Sequence, residues 1–288
     1  MRLALGTAQF GLPYGIANQA GQVTRSAAKA MLGLAAANGI DTIDTAIAYG
    51  DSEACLGEVG VQGFKLVTKL PAVPDGCDDV KGWVQGQVAA SLARLGVKSV
   101  YGLLLHRPEQ LLESDGKALF QAVQGVKDTG QVQKVGVSIY APSELEALTP
   151  QYRFDLIQAP FNLVDCRLQT TGWLQRLKDE GIEIHTRSAF LQGLLLMSQA
   201  TRPAKFSTWS ELWSTWHEWL SRHSVSAVQA CLAFPFSFSA IDRVVVGADS
   251  VSQLGQIIGA ATSAAPLDFP DLHCEAENLI NPARWCRL

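Results

Sequence analysis

The sequence predicts a (β/α)8 barrel, and three observations carry that prediction: the number of strand-like runs, their composition and the absence of any break between them. Eight short β-rich apolar runs alternate with longer helical stretches along the 288 residues. Most of the runs are continuously apolar rather than alternating, the pattern of a parallel sheet covered on both faces. No Pro/Ser/Gly linker or shift of composition divides the chain, so residues 1–288 read as a single barrel domain.

Taken in order, the strand candidates are Leu3 to Leu5, Ile40 to Asp44, Lys65 to Lys69, Val100 to Leu105, Val132 to Ser138, Phe154 to Gln158, Ile182 to Thr186 and Arg243 to Val246. Helical stretches between them include Ser26 to Asn38, Asp79 to Leu95, Gly116 to Thr129, Pro142 to Leu148, Thr170 to Glu180 and Val251 to Ala261. Thr24 precedes the first of these as an N-cap, and Gly39 and Gly181 follow theirs where a left-handed residue ends a helix. The longest gap, from Arg187 to Asp242, predicts an extended loop and an extra helix around 188–235. Within it Trp209, Trp213, Trp216 and Trp219 recur at helical spacing, which reads first as packing against the barrel.

Composition narrows the function. With 23 Lys+Arg against 27 Asp+Glu the net charge is −4, and the arginines are spread singly, so no basic stripe for nucleic acid exists. No run approaches the roughly 20 apolar residues of a membrane helix. Cys55, Cys77, Cys166, Cys231, Cys274 and Cys286 form no C-x-x-C pair, as expected of a reduced cytoplasmic chain. His185, His217, His223 and His273 lack metal-ligand spacing, so no metal site is expected and a metal-dependent hydrolase carries little weight.

In such a barrel, catalytic side chains gather at the C-terminal ends of strands. Asp44 closes the second candidate strand, Tyr49 follows in the next loop, Lys69 closes the third and His106 the fourth. Each alone reads as a structural polar residue. Together they suit carbonyl reduction: a phenol with an ordinary pKa of about 10 needs a neighbouring ammonium to serve as acid and base near neutrality. Asp44 would hold that ammonium, and His106 would donate to the oxygen on which charge develops.

With these residues in this order, the chain resembles the aldo-keto reductase family over nearly its whole length. Leu5-Gly-Thr-Ala-Gln-Phe-Gly11, Asp44-Thr-Ala-Ile-Ala-Tyr-Gly50, Gly136-Val-Ser138, Ile157-Gln-Ala-Pro-Phe-Asn162 and Val246-Gly-Ala-Asp-Ser250 look like successive family motifs. The resemblance implies reduction of an aldehyde or ketone by NADPH, with NADH possible, and Tyr49 as general acid. It implies cofactor contacts from Gly6, Thr7, Ser138, Gln158, Arg187, Gly247, Ser250 and Gln253, with Ser138 and Gln158 on the nicotinamide carboxamide. Asn162 would instead order its loop. Independently, Gly247 to Ser250 precede a helix whose N-terminus attracts phosphate.

The chain departs from the family pattern at Ile139, where an Asn is common, and at Arg187, where an aromatic residue often stacks on the nicotinamide. Gln253, Gln256 and Ile257 replace residues that frequently meet the adenosine end, and Asp249 is unfavourable to a 2′-phosphate. Arg187 has two readings, a stack on the nicotinamide or an ion pair with Asp155 or Glu183. The alternative to an enzyme is a slow-turnover, cofactor-binding regulatory protein of the same fold, as potassium-channel β-subunits of the family are. Substrate choice would fall to Phe190, Leu191 and Trp209 after Arg187, and to the C-terminal tail.

Overall fold

The computed structural model describes residues 1–18, 20–263 and 267–287. Strands β1 (Leu3–Gly6), β2 (Thr42–Asp44), β3 (Lys65–Leu70), β4 (Val100–Leu105), β5 (Val132–Ser138), β6 (Leu156–Pro160), β7 (Glu183–Arg187) and β8 (Arg243–Gly247) close into a parallel barrel in chain order. All eight strand candidates are present, with β6 beginning two residues later than the apolar run at Phe154. Val67, Leu104 and Leu156 fill the barrel's own interior, while the larger core lies between strands and surrounding helices. That division explains the continuous apolar runs, because outward and inward positions are both dry.

Helix ends follow the local signals. Thr24 Oγ1 accepts from Ala27 N at 3.3 Å at the start of helix Arg25–Ala37, and Gly39 adopts φ +73° just beyond its end. The helix predicted over Thr170 to Glu180 is present as Trp173–Asp179, and a separate short helix, Arg167–Thr170, precedes it. Gly172, at φ +80°, separates the two.

After β7 the chain forms helices Ser210–His223 and Ala227–Phe236 before entering β8. The second packs against Val251–Thr262 and so completes the outer ring, leaving Ser210–His223 as the extra helix. Trp213, Trp216 and Trp219 are buried on it, and their indole N–H groups donate to Phe206 O, Leu195 O and Asp268 O at 2.9 to 3.0 Å. The tryptophans therefore pack and tie loops. Leu191 is fully buried, and the half-buried Trp209 lies against Phe206. Cys55, Cys77, Cys166, Cys231 and Cys274 are free thiols, and the side chain of Cys286 lies outside the described residues. Among the described residues no helix is long and apolar enough to cross a membrane.

Candidate active site

Barrel closure brings the four strand-end residues together. Lys69 is 1 % exposed, and its Nζ donates to Asp44 Oδ1 at 2.6 Å and to Thr45 O at 3.0 Å. Burial pushes the Lys69 pKa down, but Asp44 and then Tyr49 outweigh it, and the net direction is upward. Lys69 is therefore a charged ammonium at neutral pH. Its Nζ stands 5.1 Å from the centre of the Tyr49 ring, and the His106 ring meets that ring edge-on at 5.8 Å. Burial first, then the cations Lys69 and Arg187, lower the His106 pKa to about 4 despite Asp44. His106 thus faces the site as a neutral imidazole.

The Tyr49 loop is held from several sides. Thr45 N and Ile47 N bond Val67 O and Lys69 O on β3, and Tyr49 O accepts from Ser52 N at 3.0 Å. A Cβ on Gly11 would fall 1.8 Å from Tyr49 O, so the turn after β1 can press against this loop only as glycine. The following helix, Ser52–Val59, is anchored through buried Glu53, which accepts from Thr68, Ser91 and Arg94. Sequence order alone gives no hint of this anchor.

Of the other predicted residues, Thr7 is fully buried and donates from Oγ1 to Asp44 O at 3.0 Å, supporting the peptide of Asp44. Gly6 pairs in register with Asp44 on one side and Gly247 on the other. Ser138 and Gln158 are register partners, buried beneath the mouth, and Gln158 Nε2 donates to Asp44 Oδ2 at 2.6 Å. Asn162 orders its loop as expected, accepting from Val164 N and Asp165 N at 2.9 Å. Ser250 caps helix Val251–Thr262 by accepting from Gln253 N, and Gln253 Oε1 folds back onto Asp249 N at 2.8 Å. Ile139 and Ile257 are core residues.

Among the described residues Arg187 forms no ion pair with any carboxylate, Asp155 and Glu183 included. Those carboxylates are taken by Lys127 and by Lys134, Tyr101 and His185 respectively. Arg187 Nη2 instead donates to Ile139 O at 2.9 Å, and the guanidinium lies 4.6 Å from the Tyr140 ring centre. Tyr140 and Tyr14 are exposed aromatics beside the site, Tyr14 within electrostatic reach of Tyr49, Arg187 and Tyr140. Neither was singled out from sequence, although Tyr140 stands only two residues past the strand end at Ser138. Beyond Arg187 the backbone is strained, with Ser188, Leu191 and Gln192 at φ +63°, +47° and +53°. Gln192 Nε2 donates to Tyr14 Oη at 3.1 Å, joining this segment to the β1 loop. A separate cavity of about 630 Å³ lies on the flank, lined by Cys77 to Lys81 and residues of helix Gly116–Asp128, and includes none of the four strand-end residues.

A closed parallel barrel with a buried Asp–Lys pair beside Tyr and His at its C-terminal mouth is an enzyme-like framework of the kind used for polar chemistry at strand ends. The model of the Aldo/keto reductase family matches residues 2–269, and the chain belongs to that family. It is 32% identical over 168 residues to the 6-dehydroglucose reductase of Agrobacterium fabrum, a match spanning 51% of this chain and 55% of that protein's length. Its fold is similar to that of an aldo-keto reductase of Bacillus halodurans in holo form, at TM-score 0.73 and 19% identity, covering 93% of this chain and 88% of the other. A Pseudomonas aeruginosa protein assigned to the same family matches at TM-score 0.68 and 21% identity, covering 91% and 90%.

Proposed function

We propose that this chain reduces an aldehyde or ketone to an alcohol with NAD(P)H, Tyr49 being the general acid. The observation that carries the reading is the ammonium of Lys69, dry, bound to Asp44 and 5.1 Å from the Tyr49 ring centre. Such a cation favours the phenolate that remains when Tyr49 gives up its proton. Tyr49 Oη donates its proton to the carbonyl oxygen, and neutral His106 donates a hydrogen bond to the same oxygen as negative charge gathers there. When bound, the reduced nicotinamide supplies the hydride that adds to the carbonyl carbon.

The residues present suit that cofactor. Gly6 and Gly247 are side-chain-free register partners at the mouth, and a Cβ on Gly247 would lie 2.6 Å from Gln9 Nε2. This floor adjoins the N-terminus of helix Val251–Thr262, where Ser250 Oγ already takes Gln253 N and the N–H groups of Val251 and Ser252 have no partner within the helix. Ser138 and Gln158 would hold the carboxamide, Gly6, Gly247 and Ser250 the phosphates, with Thr7 acting through Asp44 and Gln253 through the cap. Arg187, anchored beside Ser138 through Ile139 O, would stack on the nicotinamide with Tyr140 on its other face. Asp249 beside the helix start argues against a strong preference for NADPH over NADH.

The test is a screen of aldehydes for oxidation of NADPH and NADH by the purified chain, with 6-dehydroglucose, named for the Agrobacterium relative, first in the panel. Turnover supports the reductase. Tight cofactor binding without turnover of any aldehyde would favour the regulatory alternative.

A further inference from the structure

The direction of each hydrogen bond around Gln158 is set by Asp44. A carboxylate only accepts, so the Gln158 atom 2.6 Å from Asp44 Oδ2 is its amide N–H. The amide oxygen therefore faces Ser138, whose hydroxyl donates to it at 3.2 Å. A directed run of bonds leads from Ser138 to Gln158 to Asp44, and meets Lys69 Nζ on the other carboxylate oxygen. The run crosses the barrel mouth from β5 and β6 to β2 and β3, through side chains that are almost entirely buried.

We propose that Gln158 is a positioning residue for the acid: its amide N–H holds Asp44 Oδ2, so that Asp44 Oδ1 fixes the Lys69 ammonium beside Tyr49. One amide hydrogen and one lone pair of Gln158 stay free for a cofactor carboxamide, and the same side chain serves both sites. The activity arm of the test rests on the reductase reading, whereas the contact itself does not. The other titratable or charged groups around the pair are Lys69 on β3, Tyr49 after β2, His106 after β4, and His185 and Arg187 on β7. His185 adjoins Gln158 in register and gives its Nε2 to Glu183. Arg187 is spent on Ile139 O. Among the described hydrogen bonds, that from Gln158 alone reaches Asp44 Oδ2.

Gln158→Glu is nearly isosteric. It keeps an oxygen toward Ser138 and replaces the donor to Asp44 by a second carboxyl, and two carboxylates in contact cannot both ionise freely. Relative to wild type at each pH, the rate at saturating cofactor and aldehyde should fall by at least about tenfold at about pH 8, on the scale of losing a positioned acid. It should recover toward about pH 5.5, as the added carboxyl takes a proton and donates to Asp44. Gln158→Met, which cannot donate at any pH, should show the loss without the recovery. In cofactor-free protein, the melting temperature of Gln158→Glu should drop below wild type as pH rises over the same range. A rate ratio and a melting difference that are both flat with pH would overturn the proposal and leave Gln158 as a cofactor contact alone. A wild-type chain with no reductase activity would count against the reductase reading, while the melting series would still decide whether Gln158 holds Asp44.

Discussion

Asp41 stands just before β2 and Asp44 closes it, three residues apart, and each binds a lysine of β3, yet the two pairs have little else in common. At the foot of the barrel Asp41 is 43 % exposed, takes both oxygens to Arg243 Nη2 at 3.1 Å, and meets Lys65 at 3.4 Å. Nearby, Glu183 accepts from Tyr101 and His185 and pairs with Lys134, while Lys65 and Lys134 each lie 5.3 Å from the Tyr101 ring centre. Every charge there has a counter-charge close by, and the network seals the end of the barrel. At the mouth the Asp44–Lys69 pair is dry, and beside it stand a phenol, a neutral imidazole and an arginine whose hydrogen bonds are to a carbonyl and a hydroxyl. An ion pair inside a barrel thus says little about function. Its dryness, and the reactive groups it leaves facing outward, say more.

Breaking the comparison at its strongest point means Asp44→Asn. That variant leaves the Lys69 ammonium buried without a counter-charge, a loss of about 3 to 5 kcal/mol on the scale of split buried pairs. The reduction rate should fall by about a hundredfold or more, because the Lys69 ammonium is no longer fixed beside Tyr49. Asp41→Asn, its counterpart at the foot, should change stability by no more than about 1 kcal/mol and leave turnover unchanged. Denaturant unfolding and initial rates on both variants check this. Equal losses for the two would remove the distinction drawn between the ends.

A smaller effect should come from Glu183. Burial pushes its carboxyl upward, but bonds from His185, Lys134 and Tyr101 prevail and hold its pKa well below the usual range. A carboxyl depressed in the folded state contributes stability above its unfolded pKa of about 4.3 and loses it as pH falls below that value. The melting-temperature gap between wild type and Glu183→Gln should therefore be full near neutrality and close as the pH is taken down through about 4. A gap that widens in acid would contradict the assignment.

The smallest effect concerns Arg187, whose guanidinium would sit well against a neutral dihydronicotinamide and poorly against the oxidised, positively charged ring. Arg187→Met should tighten the oxidised cofactor relative to the reduced one by about 0.5 to 1 kcal/mol. Calorimetry with both redox forms on one preparation measures it. The same change in both affinities would make Arg187 a support for Ile139 and Tyr140 only.

Much of the fold was legible because each strand is a local apolar run and each helix end carries a local signal such as Thr24 or Gly39. The helix expected over Thr170 to Glu180 starts only at Trp173, because Gly172 adopts a left-handed conformation that periodicity does not register. That Asp44, Tyr49, Lys69 and His106 gather at one end of the barrel was legible because each stands at or just beyond the C-terminal end of a strand. The bond from Gln158 to Asp44 was not, since it joins residues 114 apart and exists only once the barrel closes. Arg187 was visible as a departure from an aromatic position, but its seat on Ile139 O and Tyr140 depends on how β5 and β7 end in space.

The central claim is that the mouth performs chemistry through Tyr49, and rapid mixing of NADPH-loaded protein with an excess of the best aldehyde from the screen tests it most directly. One turnover, followed by loss of reduced-nicotinamide fluorescence, isolates the chemical step from product release. Wild type should oxidise its bound NADPH at least about a hundredfold faster than Tyr49→Phe, with both proteins binding NADPH alike. Identical single-turnover rates in the two proteins would contradict the account.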